Sequence, residues 1–332
     1  MKVFFDTVGC SLNQAAIDEM AGKLRQAGHE IVSRAEEADT VIINSCAVTA
    51  AASSDSRQKV RQAHSKGVKN IILTGCWATL YLKQAGELAG VTSIVDNLSK
   101  MDIPAQLIGE DELIDLEPIA RKPIPGVHHR TRAFIKIQDG CDNYCTYCVT
   151  RIARGKAVSI SKMEILKHLN EAIRGGAREV VLTGVNLGSW GKDLEGGMGI
   201  ADLLKFLLDE SDIGRIRLSS IEPWDISPSF FELWGNPRLC NHFHLPLQSG
   251  SRSILKRMAR KTTPEEFRGL VNTARSRISN LSITTDIIVG FPGETDDEFM
   301  ESLAFIKEMN FSGGHVFRFS KREGTAAAGY PS

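Results

Sequence analysis

The sequence predicts an α/β protein with two domains. We expect a doubly wound parallel sheet in residues 1–125, followed by an open (βα)6 partial barrel in residues 131–332. Short apolar runs alternate with amphipathic helical segments along the whole chain of 332 residues, a pattern that favours parallel strands covered by helices. Residues 119–131 interrupt the alternation with two prolines, a glycine and several basic residues, which predicts a linker.

The first domain is predicted to alternate buried strands with helices. One helix has Ile17, Met20 and Leu24 at the spacing of a single face. The predicted strands are 2–7, 30–32, 40–44 and 69–74, and the predicted helices are 13–26 and 54–65.

Three of these strands are followed by a cysteine, namely Cys10, Cys46 and Cys76. The carboxyl ends of neighbouring strands form the ligand crevice of an open parallel sheet, so the three thiols are placed to share one ligand. Iron–sulfur clusters are held by Cys thiolates, and the pattern predicts a [4Fe–4S] cluster with one open iron. The alternative is three ordinary buried cysteines, since Cys is often a core residue. Gly9 and Gly75, each just before a cysteine, allow tight turns.

The second domain is predicted to repeat strand and helix six times. The predicted strands are 133–138, 178–185, 215–222, 242–249, 282–290 and 314–320. Three of the helices begin with capping boxes, in which Ser or Thr is followed three residues later by Glu; the pairs are Ser161–Glu164, Thr263–Glu266 and Thr295–Glu298. Six units rather than eight predict an open barrel, whose active site lies at the carboxyl ends of the strands.

The loop after the first barrel strand carries Cys141, Cys145 and Cys148 at CxxxCxxC spacing. Three thiolates on one loop can hold three corners of a [4Fe–4S] cluster, and the open fourth iron is what reductive cleavage of S-adenosylmethionine requires. A zinc site is the alternative, but it usually takes four ligands in paired knuckles. His128 and His129 lie upstream and form no such pair.

Residues at the ends of the other barrel strands are candidates for binding the amino, carboxylate and ribose groups of S-adenosylmethionine. Each could equally have a structural role, such as capping the next helix. The candidates are Gly184, Asn186, Glu222, Gln248 and Asp286. The seventh cysteine, Cys240, has no partner in spacing and is predicted to be a free thiol.

The composition is that of an ordinary globular protein, with 42% apolar and 24% charged residues. A formal net charge of zero gives no global attraction to nucleic acid, so any RNA contact must come from local patches. No apolar run approaches the roughly 20 residues that span a bilayer, and no signal-peptide segment precedes the first strand. We therefore expect a cytoplasmic protein whose cysteines stay reduced and serve metal or redox chemistry.

Several motifs are spread over nearly the whole chain. They are Gly9-Cys10 with Asn13, Asn44-Ser45-Cys46, Thr74-Gly75-Cys76, and the segments 140–148, 219–223, 245–250 and 290–294. Together they resemble the methylthiotransferase family of radical S-adenosylmethionine (SAM) enzymes. Within the family, the segments 46–49, 56–61 and 315–325 are similar to the branch that acts on N6-threonylcarbamoyladenosine.

The resemblance implies a reaction, its cofactors and its partners. Family members attach a methylthio group to an unactivated C–H bond, most of them on an adenosine at position 37 of tRNA. The resemblance implies a radical SAM partial barrel and two [4Fe–4S] clusters. The cluster at Cys141, Cys145 and Cys148 would cleave SAM to a radical that takes hydrogen from C2 of the adenine. The auxiliary cluster at Cys10, Cys46 and Cys76 would hold the sulfur, which a second SAM methylates.

The implied partners are a tRNA anticodon loop, where a base can leave its stack, and a reducing electron donor such as flavodoxin or ferredoxin. No membrane partner is implied.

Two features depart from the family pattern. Val149 stands after the third loop cysteine, where the family usually has proline, and the chain ends at Ser332, where the family normally continues into a small β-barrel RNA-binding domain. This absence implies either a truncated sequence or substrate binding by other surfaces. Basic candidates for phosphate contacts are Arg121, Lys122, Arg130, Arg132, Arg252, Lys256, Arg257, Arg260 and Lys261, although a solvated helix face explains the last five equally well.

Three alternatives remain open from the sequence. The substrate could be isopentenyl-adenosine in tRNA, or it could be an aspartate of a ribosomal protein. A non-catalytic iron–sulfur or zinc protein is the third alternative. It would bind metal but release no 5′-deoxyadenosine.

Overall fold

The computed structural model describes residues 1–113 and 132–331, which form two compact units. The first unit takes its described residues from Met1–Lys136, Ile152–Gly155 and Met163–Val180. The second takes them from Ile137–Arg151, Lys156–Lys162 and Val181–Ser332. The predicted linker at 119–131 lies outside the described residues, and so does the boundary between the two predicted domains, which stays a prediction.

Strands and helices alternate along most of the described chain. The strands are β1 (Lys2–Thr7), β2 (Glu30–Ile31), β3 (Thr40–Ser45), β4 (Asn70–Gly75), β5 (Val91–Ile94), β6 (Arg132–Lys136), β7 (Gln138–Asp139), β8 (Val158–Ser159), β9 (Glu179–Thr183), β10 (Arg215–Leu218), β11 (His242–His244), β12 (Ser282–Val289) and β13 (Gly313–Arg318). The α-helices are α1 (Ser11–Gln26), α2 (Ala50–Ser65), α3 (Cys76–Leu80), α4 (Leu82–Gly86), α5 (Ile103–Ile108), α6 (Thr150–Arg154), α7 (Lys162–Arg174), α8 (Ile200–Glu210), α9 (Arg252–Arg257), α10 (Pro264–Arg277) and α11 (Asp296–Met309).

The first unit contains a five-stranded sheet in the order β2-β1-β3-β4-β5. Every neighbouring pair in this sheet is parallel. The order is that of a doubly wound sheet with a switch point between β1 and β3, so the predicted fold class is confirmed. β5 and the helices α3 to α5 are not predicted from the sequence, because segments of four to six residues are too short to show a clear periodicity.

The central strands β3 and β4 are buried along nearly their whole length, as expected where helices cover both faces of a parallel sheet. On one face, Phe5 and Ile42 pack with Ile17, Met20 and Leu24 of α1. On the other face, the alternate residues of β3 and β4 form a second core with side chains of α2 and α3; its members include Val41, Ile43, Ile71, Leu73, Val60 and Trp77. The period of two along each strand thus sorts the side chains into two separate cores.

The six strands predicted for the barrel are all present, although each is shorter than predicted. They form two three-stranded sheets, in the orders β10-β9-β6 and β11-β12-β13. A parallel bridge between Ser220 and His244 joins the segment after β10 to β11, so the predicted strands follow one another in chain order.

Two of the predicted capping boxes are confirmed in the second unit. Thr263 and Glu266 cap α10, and Thr295 and Glu298 cap α11, each by reciprocal side-chain to backbone hydrogen bonds. α7 begins at Lys162, directly after Ser161. No helix among the described residues is both long enough and apolar enough to cross a membrane.

We predict that Gly75→Ala strongly destabilises the first unit. Gly75 has φ +93°, and a Cβ there would overlap the side-chain oxygen of Asn44 and the backbone of Ser45. A positive φ alone costs Ala roughly 1–2 kcal/mol, and the overlap should bring the loss of unfolding free energy to about 3 kcal/mol or more. The measurement is urea unfolding of the metal-free protein under anaerobic conditions.

Gly67→Ala is the matched control for this substitution. Gly67 has φ +80°, but a Cβ there meets no atom within 4 Å, so only the backbone cost of roughly 1–2 kcal/mol is expected. Equal losses in the two variants would contradict the steric argument.

Candidate metal centres

The three strand-end cysteines of the first unit follow adjacent strands of its sheet. Cys10 follows β1, Cys46 follows β3 and Cys76 follows β4. The register pairs Thr7 with Asn44 and Ser45 with Gly75, so the three strands end at nearly the same level. The switch point lies between β1 and β3, where the ligand crevice of such a sheet opens.

At Gly9 the backbone of the turn after β1 lies very close to Cys46, which follows the neighbouring strand β3. Gly9 has φ +107°, and a Cβ added to it would lie 2.7 Å from the Cys46 Sγ. Any larger residue would therefore push the turn away from the thiol. The prediction that Gly9 and Gly75 allow tight turns is confirmed, since both residues have positive φ.

Two buried polar side chains, those of Asn13 and Ser45, tie the strand ends together. The Asn13 amide donates to the carbonyl oxygens of Val8 (2.8 Å) and Ser45 (3.2 Å). The Ser45 hydroxyl donates to the Thr74 carbonyl oxygen at 2.5 Å and accepts from the Ala78 N–H at 3.1 Å. These bonds hold the turns after β1, β3 and β4 in a fixed relation, with one cysteine on each turn.

The three thiols share one electrostatic environment. Cys46 and Cys76 are buried and Cys10 is exposed. Burial, with a smaller contribution from the charges of Cys10 and Cys76, raises the pKa of Cys46 to about 11. Burial also raises the pKa of Cys76, where Arg154 acts in the opposite direction. Neutral thiols are therefore favoured in the metal-free protein, and iron binding would displace their protons.

The CxxxCxxC loop of the second unit is held in place by hydrogen bonds of Thr146, which lies between Cys145 and Cys148. The Thr146 N–H donates to the Met258 carbonyl oxygen at 3.1 Å, and its hydroxyl donates to the Arg257 carbonyl oxygen at 2.9 Å. The Thr146 carbonyl oxygen accepts from the Ala327 N–H at 2.8 Å. The loop is therefore held by the end of α9 and by the C-terminal segment, both far from it in sequence.

The sulfur atoms of this loop receive hydrogen bonds suited to thiolates. The Asn143 N–H donates to the Cys141 Sγ, and the Thr150 N–H donates to the Cys148 Sγ, each at 3.4 Å. Burial raises the pKa of Cys148 to about 11 and also raises the pKa of Cys141. The Thr150 N–H acts in the opposite direction at Cys148, and the Asn143 N–H does so at Cys141. Such donors stabilise anionic sulfur. The donor set of three thiols with N–H groups directed at sulfur fits a [4Fe–4S] cluster.

No group of three His, Cys, Asp or Glu side chains arranged to hold a single metal ion occurs in residues 1–113 and 132–331. Cys240 is buried and free, as predicted.

Arg260 is a buried residue that links three parts of the second unit. Its guanidinium donates to both carboxylate oxygens of Glu222, at 3.0 and 2.6 Å, and to the Pro246 carbonyl oxygen at 2.6 Å. It also lies 3.7 Å from the Cys145 Sγ and 4.6 Å above the Trp224 ring. Bidentate pairing of this kind fixes both position and orientation.

The expectation that Arg260 contributes to a phosphate-binding surface is therefore wrong, because its side chain is only 1% exposed. Arg252 is paired with Glu265, and Arg257 with Glu298. Lys256 and Lys261 are exposed. In the linker group, Arg132 lies 3.2 Å from Glu179, whereas Arg121, Lys122 and Arg130 lie outside the described residues.

Gln138 is a positioning residue that the sequence analysis missed. It is fully buried and stands just before the cysteine loop. Its side-chain oxygen accepts from the Val185 and Asn186 N–H groups at 2.9 and 3.0 Å, and its amide donates to the Asp139 and Gly140 carbonyl oxygens at 2.8 and 2.7 Å. One side chain thus joins the start of the loop to the end of β9. The only sequence signal was a polar residue closing an apolar run.

The five predicted SAM contacts lie where the barrel strands end, except Asp286, which is within β12. A Cβ on Gly184 would lie 2.9 Å from the Gln138 side-chain oxygen. Asn186 caps the next turn through the Gly188 N–H and donates to Asp225. Glu222 holds Arg260, as described above, so these positions have structural roles.

The other two positions have defined local environments. Gln248 has φ +75°, and its N–H donates to the Asp286 carbonyl oxygen at 2.8 Å. The Asp286 carboxylate contacts His244 and His315, each at 3.1 Å. Burial raises the pKa of Asp286, but the two imidazoles lower it by more, so it lies below the usual range. Contact with SAM stays a prediction for all five residues.

Comparison with known proteins places the chain in a family. Residues 135–306 match the Radical SAM superfamily, and residues 2–96 match a family described as Uncharacterized protein family UPF0004. The chain is 40% identical over 335 residues to the threonylcarbamoyladenosine tRNA methylthiotransferase MtaB of Thermotoga maritima, covering 98% of this chain and 76% of that protein. It is 37% identical over 346 residues to MtaB of Bacillus subtilis, covering 98% and 75%.

This chain belongs to the radical SAM methylthiotransferase family. A further relative, the tRNA-2-methylthio-N(6)-dimethylallyladenosine synthase of Clostridium tetani, is 33% identical, with 98% of this chain and 75% of that protein covered. Family membership supports an enzyme over a non-catalytic iron–sulfur or zinc protein. Radical SAM methylthiotransferases use SAM and [4Fe–4S] clusters, and the predicted cofactors are confirmed at that level.

Solved structures support the same fold. The radical SAM methyltransferase TsrM of Kitasatospora setae aligns with a TM-score of 0.69 and 12% identity over 95% of this chain and 72% of that chain. The cobalamin-dependent SAM radical enzyme OxsB aligns with a TM-score of 0.63 and 11% identity over 98% of this chain and 54% of that chain. At such identities the likeness concerns the fold alone, and it confirms the α/β radical SAM architecture.

We predict that Gln138→Leu destabilises the second unit and loosens the CxxxCxxC loop. The substitution leaves the Val185 and Asn186 N–H groups without their acceptor, and each buried unsatisfied group costs roughly 1–3 kcal/mol. We expect a loss of about 3 kcal/mol in urea unfolding of the metal-free protein. In a variant with Ala at Cys10, Cys46 and Cys76, we also expect less iron to be retained after gel filtration.

Gln58→Leu provides the control, because Gln58 is exposed on α2 and such a change should alter stability by no more than about 0.5 kcal/mol. Unchanged stability and iron retention in Gln138→Leu would refute a positioning role for Gln138.

Proposed function

We propose that this protein is a methylthiotransferase that adds CH3–S to C2 of N6-threonylcarbamoyladenosine at position 37 of tRNA. The observation that carries the proposal is the presence of two separate sets of three cysteines, one set in each unit, in a radical SAM methylthiotransferase. One site would serve radical formation and the other would serve sulfur transfer. The named substrate of the MtaB relatives supports the choice of threonylcarbamoyladenosine.

We assign the two cysteine sets to two [4Fe–4S] clusters. Cys141, Cys145 and Cys148 would hold the SAM-binding cluster, and the auxiliary cluster would be held by Cys10, Cys46 and Cys76. When bound, these cofactors supply reductive SAM cleavage and the sulfur for transfer.

The residues around each set of thiols orient and shield them. In the second unit, Gln138 and Thr146 fix the loop, and the N–H groups at Cys141 and Cys148 favour anionic sulfur. In the first unit, Asn13 and Ser45 hold the turns, and the burial of Cys46 and Cys76 excludes water from two of the three thiols. Cys10 is exposed, which leaves that side of the site open to an incoming group.

The proposal includes a setting and partners. We propose that the enzyme acts in the cytoplasm on the anticodon loop of tRNA, where an unpaired base is accessible. A low-potential electron donor of the flavodoxin or ferredoxin type would reduce the SAM-binding cluster.

The two sets of cysteines should be separable by substitution. Anaerobic reconstitution should give about eight irons per chain, four for each [4Fe–4S] cluster. With Cys10, Cys46 and Cys76 replaced by Ala, we expect about four irons, retained release of 5′-deoxyadenosine and no methylthiolation. Replacing Cys141, Cys145 and Cys148 should abolish both activities.

Cys240→Ala is the matched control, since Cys240 is a buried thiol outside both sets; iron content and both activities should stay at parent levels. If reconstitution of the parent protein levels off near four irons per chain, the auxiliary cluster is absent. Methylthiolation that persists in the first triple variant would show that the sulfur does not pass through that site.

The substrate is tested by nucleoside analysis. Mass spectrometry of tRNA from a strain with and without the gene should show 2-methylthio-N6-threonylcarbamoyladenosine only when the gene is present. Methylthiolated isopentenyl-adenosine, or a methylthiolated aspartate in a ribosomal protein, would instead support one of the alternative substrates. Purified enzyme with tRNA carrying either modified adenosine should reproduce the same preference.

A further inference from the structure

The first unit contains two buried cations beside its three cysteines. Arg154, the last residue of α6, is only 4% exposed, and Lys100 is 1% exposed. Burying a cation is costly unless an anion or hydrogen-bonding groups compensate it. Arg154 hydrogen-bonds the Cys76 thiol, and the charges of Arg154 and Lys100 both lie close enough to this thiol to act on it.

Arg154 is held in this position by contacts within the first unit. Its Nη2 donates to the Asn13 side-chain oxygen at 2.7 Å, across 141 residues of sequence. The amide of the same Asn13 binds the carbonyl oxygens of Val8 and Ser45. Arg154 therefore enters the network that positions the turns of Cys10 and Cys46. The preceding residue, Ala153, is packed into the core of this unit.

Lys100 approaches from a different part of the chain. Its Nζ donates to the Asn97 side-chain oxygen at 3.0 Å, and it lies in the short turn before α5. Two cations from separate segments thus act on one cysteine. A cluster held by three thiolates is an anion, and its reduction potential depends on nearby charge and on hydrogen bonds to its sulfurs.

We propose that Arg154 is the counter-charge of the auxiliary cluster, with Lys100 as a second contributor, and that it raises the reduction potential of that cluster. The proposal rests on the assignment of Cys10, Cys46 and Cys76 to a cluster. Arg154 acts here as a positioning and electrostatic residue, through Asn13 and the cysteine sulfur. An added electron is stabilised by the nearby positive charge, so loss of the charge makes reduction harder.

The test is a potentiometric titration with dithionite, followed by electron paramagnetic resonance. It uses full-length protein with Ala at Cys141, Cys145 and Cys148, so that only the auxiliary cluster contributes. We expect Arg154→Gln to shift the midpoint to lower potential at unchanged iron content. Arg154→Lys, which keeps the charge, should restore the parent midpoint largely or fully.

Lys66→Gln is the matched loss-of-charge control. Lys66 belongs to the same unit but is exposed and paired with Glu36 at 3.0 Å, so the midpoint should not move. If Arg154→Gln does not load a cluster, Lys100→Met provides the second measurement, with a shift in the same direction expected.

Several outcomes would overturn the proposal. One is a loaded Arg154→Gln variant with the parent midpoint, and another is an Arg154→Lys variant that shifts as far as Arg154→Gln. If the Arg154→Gln variant binds no auxiliary cluster, a Lys100→Met variant whose midpoint potential equals that of the parent protein would also contradict the proposal. Failure of the parent protein to bind iron at Cys10, Cys46 and Cys76 would instead refute the auxiliary-cluster assignment itself.

Discussion

The level ends of three parallel strands are the constraint on which the first site depends. Parallel pairing in register stops β1, β3 and β4 at one height, so residues far apart in sequence occupy equivalent positions. This arrangement needs backbone to approach backbone very closely after each strand. Gly9 and Gly75 permit that approach, and the buried side chains of Asn13 and Ser45 then fix it. The cysteines are thus placed by main-chain geometry before any metal binds.

Each set of cysteines is accompanied by one buried arginine, but the two arginines have different described partners. Arg260 gives both its terminal nitrogens to the Glu222 carboxylate, which largely neutralises its charge at Cys145. Arg154 donates to the side-chain amide oxygen of Asn13, and the amide of the same Asn13 binds the carbonyl oxygens of Val8 and Ser45. Arg260 is therefore tied to its site through a carboxylate, whereas Arg154 is tied to its site through a side-chain amide.

Much of the fold could be predicted because its signals are local. The alternating apolar runs, the Thr–Glu capping pairs and the glycines before cysteines are each read within a few residues. The cysteine sets could also be predicted, since strand ends in a parallel sheet converge by topology. Gln138, Arg154 and Arg260 could not be predicted, because their partners lie between 1 and 141 residues away and most are backbone groups, side-chain amides or sulfurs that no spacing reveals. Arg260 even lies in a basic run typical of a solvated surface, and only its burial shows otherwise.

The protonation of the thiols connects the two sites to their cofactors. Burial raises the pKa of Cys46 and of Cys148 to about 11 in each case, so the metal-free protein holds neutral thiols at pH 7. A cluster binds thiolates, and loading must therefore release protons and replace them with iron. The N–H groups at Cys141 and Cys148, and Arg154 at Cys76, favour the thiolate form. In the metal-free protein these donors lower the thiol pKa values and so partly offset the effect of burial. In the protein with bound clusters, the same donors would stabilise the anionic sulfur.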